Sequence, residues 1–300
     1  MSGTSGQEHR SGFACFVGRP NAGKSTLMNA MVGQKVAITS SRPQTTRHTI
    51  RGIVHRPDAQ LVLVDTPGLH RPRTLLGQRL NDLVRTTWAE VDVVGFCIPA
   101  DEEVGRGDAF IAREVASLGT PVVGIVTKID RVDRDALAPQ LVAVSKLLDF
   151  AEIVPVSAMR DEQVDVLVDL LVGLLPAGPT LYPEGELTDE PEQVLVAELI
   201  REATLEGVRE ELPHSLAVTV EEMLPRSDRD LTDIHANIYV ERSSQKAIVI
   251  GSGGSRLREV GTTARQHIEA LLGTPVFLDL RVRVAKDWQR DPKQLRRLGF

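Results

Sequence analysis

The stretch Gly18-Arg19-Pro20-Asn21-Ala22-Gly23-Lys24-Ser25 matches the pattern G-x-x-x-x-G-K-[ST] and directly follows an apolar run at residues 13–17. The apolar run predicts a buried strand, and residues 25–32 predict a helix. Backbone N–H groups of such a loop surround phosphate oxygens, and the N-terminus of the following helix is positive toward the anion. The stretch therefore predicts the phosphate-binding loop of a nucleotide triphosphatase. The alternative is a chance glycine turn between strand and helix.

Two residues of this loop have distinct predicted roles. Lys24 supplies a positive charge to the β and γ phosphates, and Ser25 offers a hydroxyl oxygen to a Mg²⁺ ion that bridges them. The predicted nucleotide contacts here are Gly18, Arg19, Pro20, Asn21, Ala22, Gly23, Lys24, Ser25 and Thr26.

The length and composition of the chain limit its class. Its 300 residues, 42% of them hydrophobic, are enough for two ordinary globular domains. No apolar run approaches the roughly 20 residues of a membrane-spanning helix, and residues 1–11 lack the apolar core of a signal peptide. Cys15 and Cys97 lie in apolar runs and have no metal-ligand spacing. We expect a cytoplasmic protein with two buried, reduced thiols.

The N-terminal half predicts an α/β domain over residues 12–176, after a flexible tail at residues 1–11. Short apolar runs alternate there with stretches of helical spacing, which favours a mostly parallel sheet with helices on both faces. Ile50–Arg56 is expected to add an antiparallel strand. Residues 177–192, rich in proline and acidic residues, are predicted to be a linker and the place of hinge motion.

Residues 193–300 predict an α+β domain. A helix is expected over 193–211, followed by two strands, a short apolar run at 247–250, one helix near 255 and another at 262–272, and a last strand. The segment 239–300 contains 12 Lys and Arg against 6 Asp and Glu, whereas the whole chain has a net charge of −6. This local excess of +6 favours an anion-binding face, with an ordinary solvated surface as the alternative.

Three further motifs indicate guanine-nucleotide binding. Asp65-Thr66-Pro67-Gly68 ends a predicted strand, so that Asp65 is placed to hold Mg²⁺ and the Gly68 N–H to sense the γ phosphate. In Thr127-Lys128-Ile129-Asp130, the carboxylate of Asp130 matches the N1–H and amino group of guanine, which adenine does not present. An ATP-using kinase or ATPase is the alternative if this motif is a coincidence. The predicted contacts in these motifs are Asp65, Thr66, Pro67, Gly68, Thr127, Lys128, Asp130, Ser157 and Ala158.

The sequence Gly251-Ser252-Gly253-Gly254 lies between a short apolar run and a predicted helix, which is the setting of a KH-type G-x-x-G loop. Small residues in that loop let a sugar-phosphate backbone approach closely. The predicted RNA-binding residues are Lys246, Gly251, Ser252, Gly253, Gly254, Arg256, Arg258 and Arg265. The alternative is a tight helix-entry turn in a domain that binds protein or nothing.

The motifs G-R-P-N-A-G-K-S, Q-T-T-R-H, D-T-P-G, T-K-I-D and V-S-A occur in the order of translation-factor-class GTPases, and their flanking residues resemble the Era family. The resemblance covers nearly the whole chain. It implies a P-loop NTPase domain followed by a type II KH domain, slow GTP hydrolysis to GDP, and Mg²⁺ as cofactor. The implied metal ligands are Ser25, Thr46 and Asp65. The implied first switch, with Thr45 or Thr46 as its Mg²⁺-sensing threonine, is Gln44, Thr45, Thr46, Arg47 and His48.

The same resemblance implies the partners. They are the small-subunit 16S ribosomal RNA near its 3′ end and the 30S subunit, whose maturation the GTPase cycle would gate. It also implies a monovalent cation near Asn21 and peripheral association with the inner face of the cell membrane; we expect a monomer. Leu69 stands where small signalling GTPases carry a water-orienting glutamine, with His70 beside it, so no catalytic residue is assigned.

Two positions depart from the family pattern. Thr127 replaces the usual asparagine of the guanine motif, and Ser252 replaces a basic residue of the G-x-x-G loop. A threonine hydroxyl makes fewer hydrogen bonds than an amide, and a serine offers no charge to phosphate. Ser252 favours the remaining alternative, a GTP-dependent interaction switch whose C-terminal domain binds protein or membrane and not RNA.

Overall fold

The computed structural model describes residues 8–39, 46–69, 72, 74–206 and 212–300. Two compact units make up the chain. The first comprises residues 1–37, 46–69 and 81–189, and the second comprises residues 38–45, 70–80 and 190–300. The second unit therefore includes two short segments from the N-terminal half of the sequence.

The first unit is built on a six-stranded sheet with the order β2-β3-β1-β4-β5-β6. All neighbouring strands are parallel except β2 and β3, which form the expected antiparallel hairpin. The strands are β1 Arg10–Val17, β2 Ile50–Arg56, β3 Ala59–Asp65, β4 Val93–Pro99, β5 Val122–Thr127 and β6 Glu152–Pro155. Every residue of β3, β4 and β5 is buried, as expected for the strands of a parallel sheet that is covered on two faces.

Helices cover both faces of this sheet. One face packs against the first and last helices in a core that contains Phe16 and Leu63, and the other packs against the remaining three around Val17 and Phe96. The helices are α1 Lys24–Val32, α2 Leu75–Glu90, α3 Arg106–Ala116, α4 Arg134–Ser145 and α5 Val164–Leu174. Of α2, the part from Asn81 onward belongs to the first unit. Cys15 and Cys97 are buried free thiols on β1 and β4.

The segment predicted to be a linker is fastened along the first unit as far as Asp189. Gln60 on β3 accepts hydrogen bonds from the backbone N–H groups of Leu181 and Tyr182 at 2.7 and 2.8 Å. Near its end, Asp189 accepts a hydrogen bond from the Tyr182 hydroxyl and pairs with Arg51. Residues 177–189 are therefore a strap on the first unit and not a free hinge.

The second unit contains a three-stranded sheet, in which β7 and β8 are antiparallel and β8 and β9 are parallel. Its strands are β7 Ala217–Pro225, β8 Thr232–Val240 and β9 Val276–Val284, and its helices are α6 Glu192–Leu205, α7 Leu212–Ser215, α8 Ser243–Ile250, α9 Ser255–Leu272 and α10 Pro292–Arg297. The core lies between one face of the sheet and the helices, with Ile234, Ile238 and Ile268 buried in it. None of the helices in the described residues is long and apolar enough to cross a membrane.

Two local predictions for this unit were wrong. The first helix, expected over 193–211, ends at Leu205, where Glu206 leaves the helical conformation. The apolar run 247–250, for which the sequence predicted no helix or strand, forms the second half of α8, which begins at Ser243. The two helices expected near 255 and at 262–272 form one continuous helix, α9, since Gly261 does not interrupt it.

Candidate nucleotide site and nucleic-acid groove

The predicted phosphate-binding loop runs from the end of β1 to the start of α1. Gly18 lies so close to β4 that a Cβ atom on it would meet the backbone oxygen of Cys97 at 2.5 Å. The Lys24 side chain folds back over the loop, where its ammonium donates to the backbone oxygens of Gly18 at 3.1 Å and Arg19 at 2.9 Å. Lys24 is thereby held at the centre of the loop with 8% of its surface exposed.

Three oxygen-bearing side chains meet beside this loop. The Ser25 hydroxyl donates to Asp65 Oδ2 at 2.6 Å, the Thr46 hydroxyl donates to the same oxygen at 3.0 Å, and the two hydroxyl oxygens are 3.2 Å apart. The other carboxylate oxygen, Asp65 Oδ1, is buried without a hydrogen bond among the described residues. A cluster of hard oxygen donors with an unsatisfied carboxylate oxygen fits Mg²⁺. The three predicted metal ligands are thus brought together.

Burial shifts the protonation equilibria of this site. It raises the pKa of Asp65, although the hydrogen bond from Ser25 and the charge of Lys24 oppose the shift. Burial also lowers the pKa of Lys24, against the effect of the nearby Asp65 carboxylate. A divalent cation at Asp65 and phosphates at Lys24 would favour the charged form of each group.

The base-recognition motifs also meet. The Ser157 hydroxyl donates to Asp130 Oδ1 at 2.7 Å, which joins V-S-A to T-K-I-D. The Thr127 hydroxyl donates to the backbone oxygen of Ala22 at 2.8 Å, so that Thr127 braces the phosphate-binding loop. Lys128 has φ of 59°, and its ammonium lies 3.6 Å from Asp101. Asp130 is therefore oriented at the carboxyl end of the sheet, as guanine recognition requires.

The structure describes only some of the residues predicted to form or adjoin the switches. Gln44, Thr45 and His70 lie outside the described residues. Of the rest, Thr46 is at the metal cluster, Arg47 is buried and His48 is partly exposed. Leu69 is packed in the apolar core, so its side chain cannot orient an attacking water. Thr66 donates to the backbone oxygen of Phe16 at 3.2 Å, which holds the turn of D-T-P-G against β1.

Arg19 has a second set of partners that the sequence did not indicate. Its guanidinium donates to Asp108 Oδ1 at 2.8 Å and lies 3.1 Å from Glu102. Asp108 is fully buried, and its other oxygen accepts a hydrogen bond from the backbone N–H of Gly105 at the start of α3. Asp108 therefore braces the phosphate-binding loop from a neighbouring helix; its place in the sequence carries no motif.

The second unit has a groove of about 440 Å³ between the G-x-x-G loop, α9 and β9. Gly253 has φ of 56°, and apart from its two chain neighbours no described residue has an atom within 4 Å of the position where its Cβ would be, so a ligand backbone can approach it. Two exposed arginines, Arg258 and Arg265, stand at the rim. The residues that line the groove are Gly254, Leu257, Arg258, Gly261, Thr262, Arg265, Val276, Phe277, Leu278 and Leu280. The sequence did not indicate the apolar lining residues, because they alternate with core residues on the same helix and strand.

Of the eight predicted RNA-binding residues, three line this groove: Gly254, Arg258 and Arg265. The other five are not among its lining residues: Lys246, Gly251, Ser252, Gly253 and Arg256. The Arg256 guanidinium donates to the backbone oxygens of Thr204 and Glu206, at the C-terminal end of α6. Arg256 has a structural role here, because these carbonyl groups are the unpaired acceptors of a helix end. Its assignment to RNA stays a prediction. Lys246 lies half-buried on α8, outside the lining of the groove.

Comparison with known proteins identifies the family. A family model described as 50S ribosome-binding GTPase matches residues 13–128, and one described as KH domain matches residues 211–289. The GTPase Era of Streptomyces coelicolor is 72% identical over 302 residues, covering 97% of this chain and 95% of the relative. The chain belongs to the Era family of GTPases. The Era protein of Mycolicibacterium smegmatis is 70% identical over 297 residues and matches over 98% of this chain and 99% of its own length.

Solved Era structures have the same fold. A crystal structure of Era in complex with MgGDPNP and nucleotides 1506–1542 of 16S ribosomal RNA superposes with a TM-score of 0.93 at 37% identity, covering 97% of this chain and 99% of that one. An Era variant from Aquifex aeolicus bound to GDP·AlF4⁻ gives 0.92 at 36% identity over the same shares. The predicted P-loop and type II KH architecture is confirmed, and so is GTPase activity. The ATP-using alternative is wrong.

Proposed function

We propose that this Era family member is a GTP·Mg²⁺-dependent switch that binds small-subunit ribosomal RNA through the groove of its second unit and assists 30S maturation. The observation that carries this proposal is the groove itself: Arg258 and Arg265 line it together with Gly254, which directly follows Gly253 with its open backbone in the G-x-x-G loop. Single-stranded RNA is bound in this way, by basic side chains and a close backbone approach. The Era structure that holds nucleotides 1506–1542 of 16S ribosomal RNA supports the same assignment.

The nucleotide site supports the first half of the proposal. Ser25, Thr46 and Asp65 would hold Mg²⁺, which neutralises phosphate charge when bound, and Lys24 would bind the phosphates. Asp130, oriented by Ser157, would select guanine. Asp130→Asn is expected to shift base preference away from guanine; unchanged preference for GTP over xanthosine triphosphate would remove this assignment.

The RNA assignment is tested by crosslinking in cells followed by sequencing. Gly253→Asp places a negative charge in the G-x-x-G loop, directly before Gly254 of the groove lining, and Gly273→Asp is a matched control. Both glycines have positive φ and open space around the missing Cβ, but Gly273 is at the far end of α9. We expect wild type and control to crosslink near the 3′ end of small-subunit RNA, and Gly253→Asp to lose that signal. Equal crosslinking by both variants would overturn the groove assignment.

Three implied properties stay predictions: the monovalent cation near Asn21, cytoplasmic location, and association with the membrane. Helix α6 has Val196, Leu199 and Ile200 buried in the core of the second unit, so these apolar side chains are not available for membrane contact. The interaction-switch alternative is not favoured. Its supporting feature, Ser252, lies exposed on a loop whose neighbouring arginines supply the positive charge.

A further inference from the structure

The peptide between Ala37 and Ile38 carries the chain from the first unit into the second. Before it, the Asn29 amide on α1 binds the backbone: Oδ1 accepts from the N–H groups of Val36 and Ala37 at 3.0 and 2.9 Å, and Nδ2 donates to the Ala37 oxygen at 2.8 Å. After it, Ile38 is 3% exposed in the core of the second unit. Ala37 is thus held by Asn29 in the first unit, and Ile38 is held by the core of the second unit. Both residues precede the first switch.

Glu202 on α6 holds the next residue. Its Oε1 accepts a hydrogen bond from the Thr39 N–H at 2.8 Å and another from the Thr39 hydroxyl at 3.2 Å. Its Oε2 lies 3.7 Å from Nδ1 of His267 on α9. Glu202 is only 3% exposed, and a buried carboxylate is costly unless it is hydrogen-bonded. The Thr39 backbone is therefore a principal partner of this side chain.

The contacts of Glu202 involve residues that are close, along the chain, to the metal cluster and to the groove. Thr46, one of the three oxygen donors at the metal cluster, follows Thr39 by seven residues. His267 is on the helix that carries Arg258 and Arg265 at the rim of the groove. Glu202 thus touches the helix of the groove and the residue from which the chain continues toward Thr46.

We propose that Glu202 is a positioning residue for the first switch, which couples occupancy of the groove to the nucleotide state. By linkage, any change that GTP causes in affinity at the groove must equal the change that the groove ligand causes in GTP affinity. Loss of the Glu202–Thr39 hydrogen bonds reduces both the effect of GTP on affinity at the groove and the effect of the groove ligand on GTP affinity. For its RNA readout this inference rests on the proposed function.

The experiment uses the full chain with GDP or GDPNP, Mg²⁺, and RNA of nucleotides 1506–1542 of 16S ribosomal RNA. Glu202→Ala removes the acceptor, whereas Glu202→Gln keeps an oxygen that can accept from Thr39. Thr204→Val is the control: Thr204 is buried on the same helix, and its hydroxyl donates to the Ile200 oxygen and not to Thr39. The two readouts are amide hydrogen exchange at Thr39 and the ratio of RNA Kd in the two nucleotide states.

We expect Glu202→Ala to speed exchange at Thr39 by about 10-fold, the effect of losing one buried hydrogen bond, and to bring the Kd ratio toward one. Glu202→Gln should restore both, and Thr204→Val should leave both near wild type. A wild-type ratio retained in Glu202→Ala, or an equal loss in Thr204→Val, would overturn the proposal. If the wild type binds no RNA, the proposed function fails, and amide hydrogen exchange at Thr39 alone tests the role of Glu202. Nucleotide-dependent exchange at Thr39 that Glu202→Ala abolishes then supports the coupling, and identical exchange in both states refutes it.

Discussion

The hydroxyl of Thr127 donates a 2.8 Å hydrogen bond to the backbone oxygen of Ala22, and so ties the base-recognition loop to the phosphate-binding loop. Thr127 is 3% exposed, so water does not replace this bond when it is lost. The residue that departs from the Era pattern therefore performs a bracing role with a single hydroxyl. Affinity for the base and affinity for the phosphates are linked through it.

Replacing Thr127 with valine should weaken nucleotide binding as a whole. Valine keeps the shape but leaves the Ala22 oxygen unpaired, which costs about 1–3 kcal/mol. We expect the Kd for GDP to rise by roughly 10-fold, measured by titration calorimetry. Thr127→Ser retains the hydroxyl and is the control, with a Kd near wild type. A wild-type Kd for Thr127→Val would show that the brace contributes nothing to binding.

Mg²⁺-dependent GTP binding should weaken as the pH falls, beginning at a higher pH than an ordinary aspartate would give. Burial raises the pKa of Asp65, so this carboxylate takes up a proton while exposed aspartates are still ionised. A protonated carboxyl group no longer attracts the cation. The measurement is a Mg²⁺ titration of GTP binding between about pH 5 and 8, since ordinary aspartates titrate near pH 3.9.

Asp65→Asn separates this effect from the titration of the nucleotide itself. The variant cannot change charge at this position, so any pH dependence that remains in it belongs to the phosphates or to other groups. If wild type and Asp65→Asn show the same pH profile for Mg²⁺, Asp65 is not the group that titrates.

Arg256 and Arg258 should differ in their effects, although they are two residues apart on α9. Arg258 is on the rim of the groove, and its removal should lower RNA affinity and reduce the salt dependence of log K by about 0.7, the value for one phosphate contact with a single strand. Arg256 is bonded to the end of α6, so Arg256→Ala should reduce stability by about 1 kcal/mol and leave the salt slope unchanged. Binding at several salt concentrations, together with urea denaturation, measures both. Equal salt slopes for the two variants would contradict the distinction.

The sequence predicted what depends on local pattern. The glycines and Lys24 of the phosphate-binding loop, the buried strands and the G-x-x-G turn each follow from residue type and spacing, and the structure has them. It did not predict contacts between residues far apart in the chain. Three hydrogen-bonded pairs lie 50 to 163 residues apart in the chain: Arg19 with Asp108, Thr39 with Glu202, and Arg256 with Glu206 at the end of α6. Periodicity carries no information about such pairs, and a charged residue looks the same in a sequence whether it is solvated or buried.

The strap at residues 177–189 also depends on contacts that the sequence did not predict. Its proline-rich, acidic composition predicted a free linker. Gln60, 1% exposed on β3, accepts hydrogen bonds from the N–H groups of Leu181 and Tyr182 and donates to the Tyr182 oxygen at 2.9 Å. Gln60→Leu leaves these three backbone groups without their partner and should lower the free energy of unfolding by about 2 kcal/mol.

The same substitution should release the strap locally. Cleavage by a glutamate-specific protease at Glu184 and Glu186 is expected to accelerate, because these bonds become accessible once residues 181–182 detach. Gln140→Leu is the matched control: Gln140 is half-buried and also donates to backbone oxygens, those of Pro99 and Glu102, but it does not touch the strap. Urea midpoints give the change in stability. If Gln60→Leu is cleaved no faster than Gln140→Leu, the strap is held by its other contacts and not by the Gln60 amide.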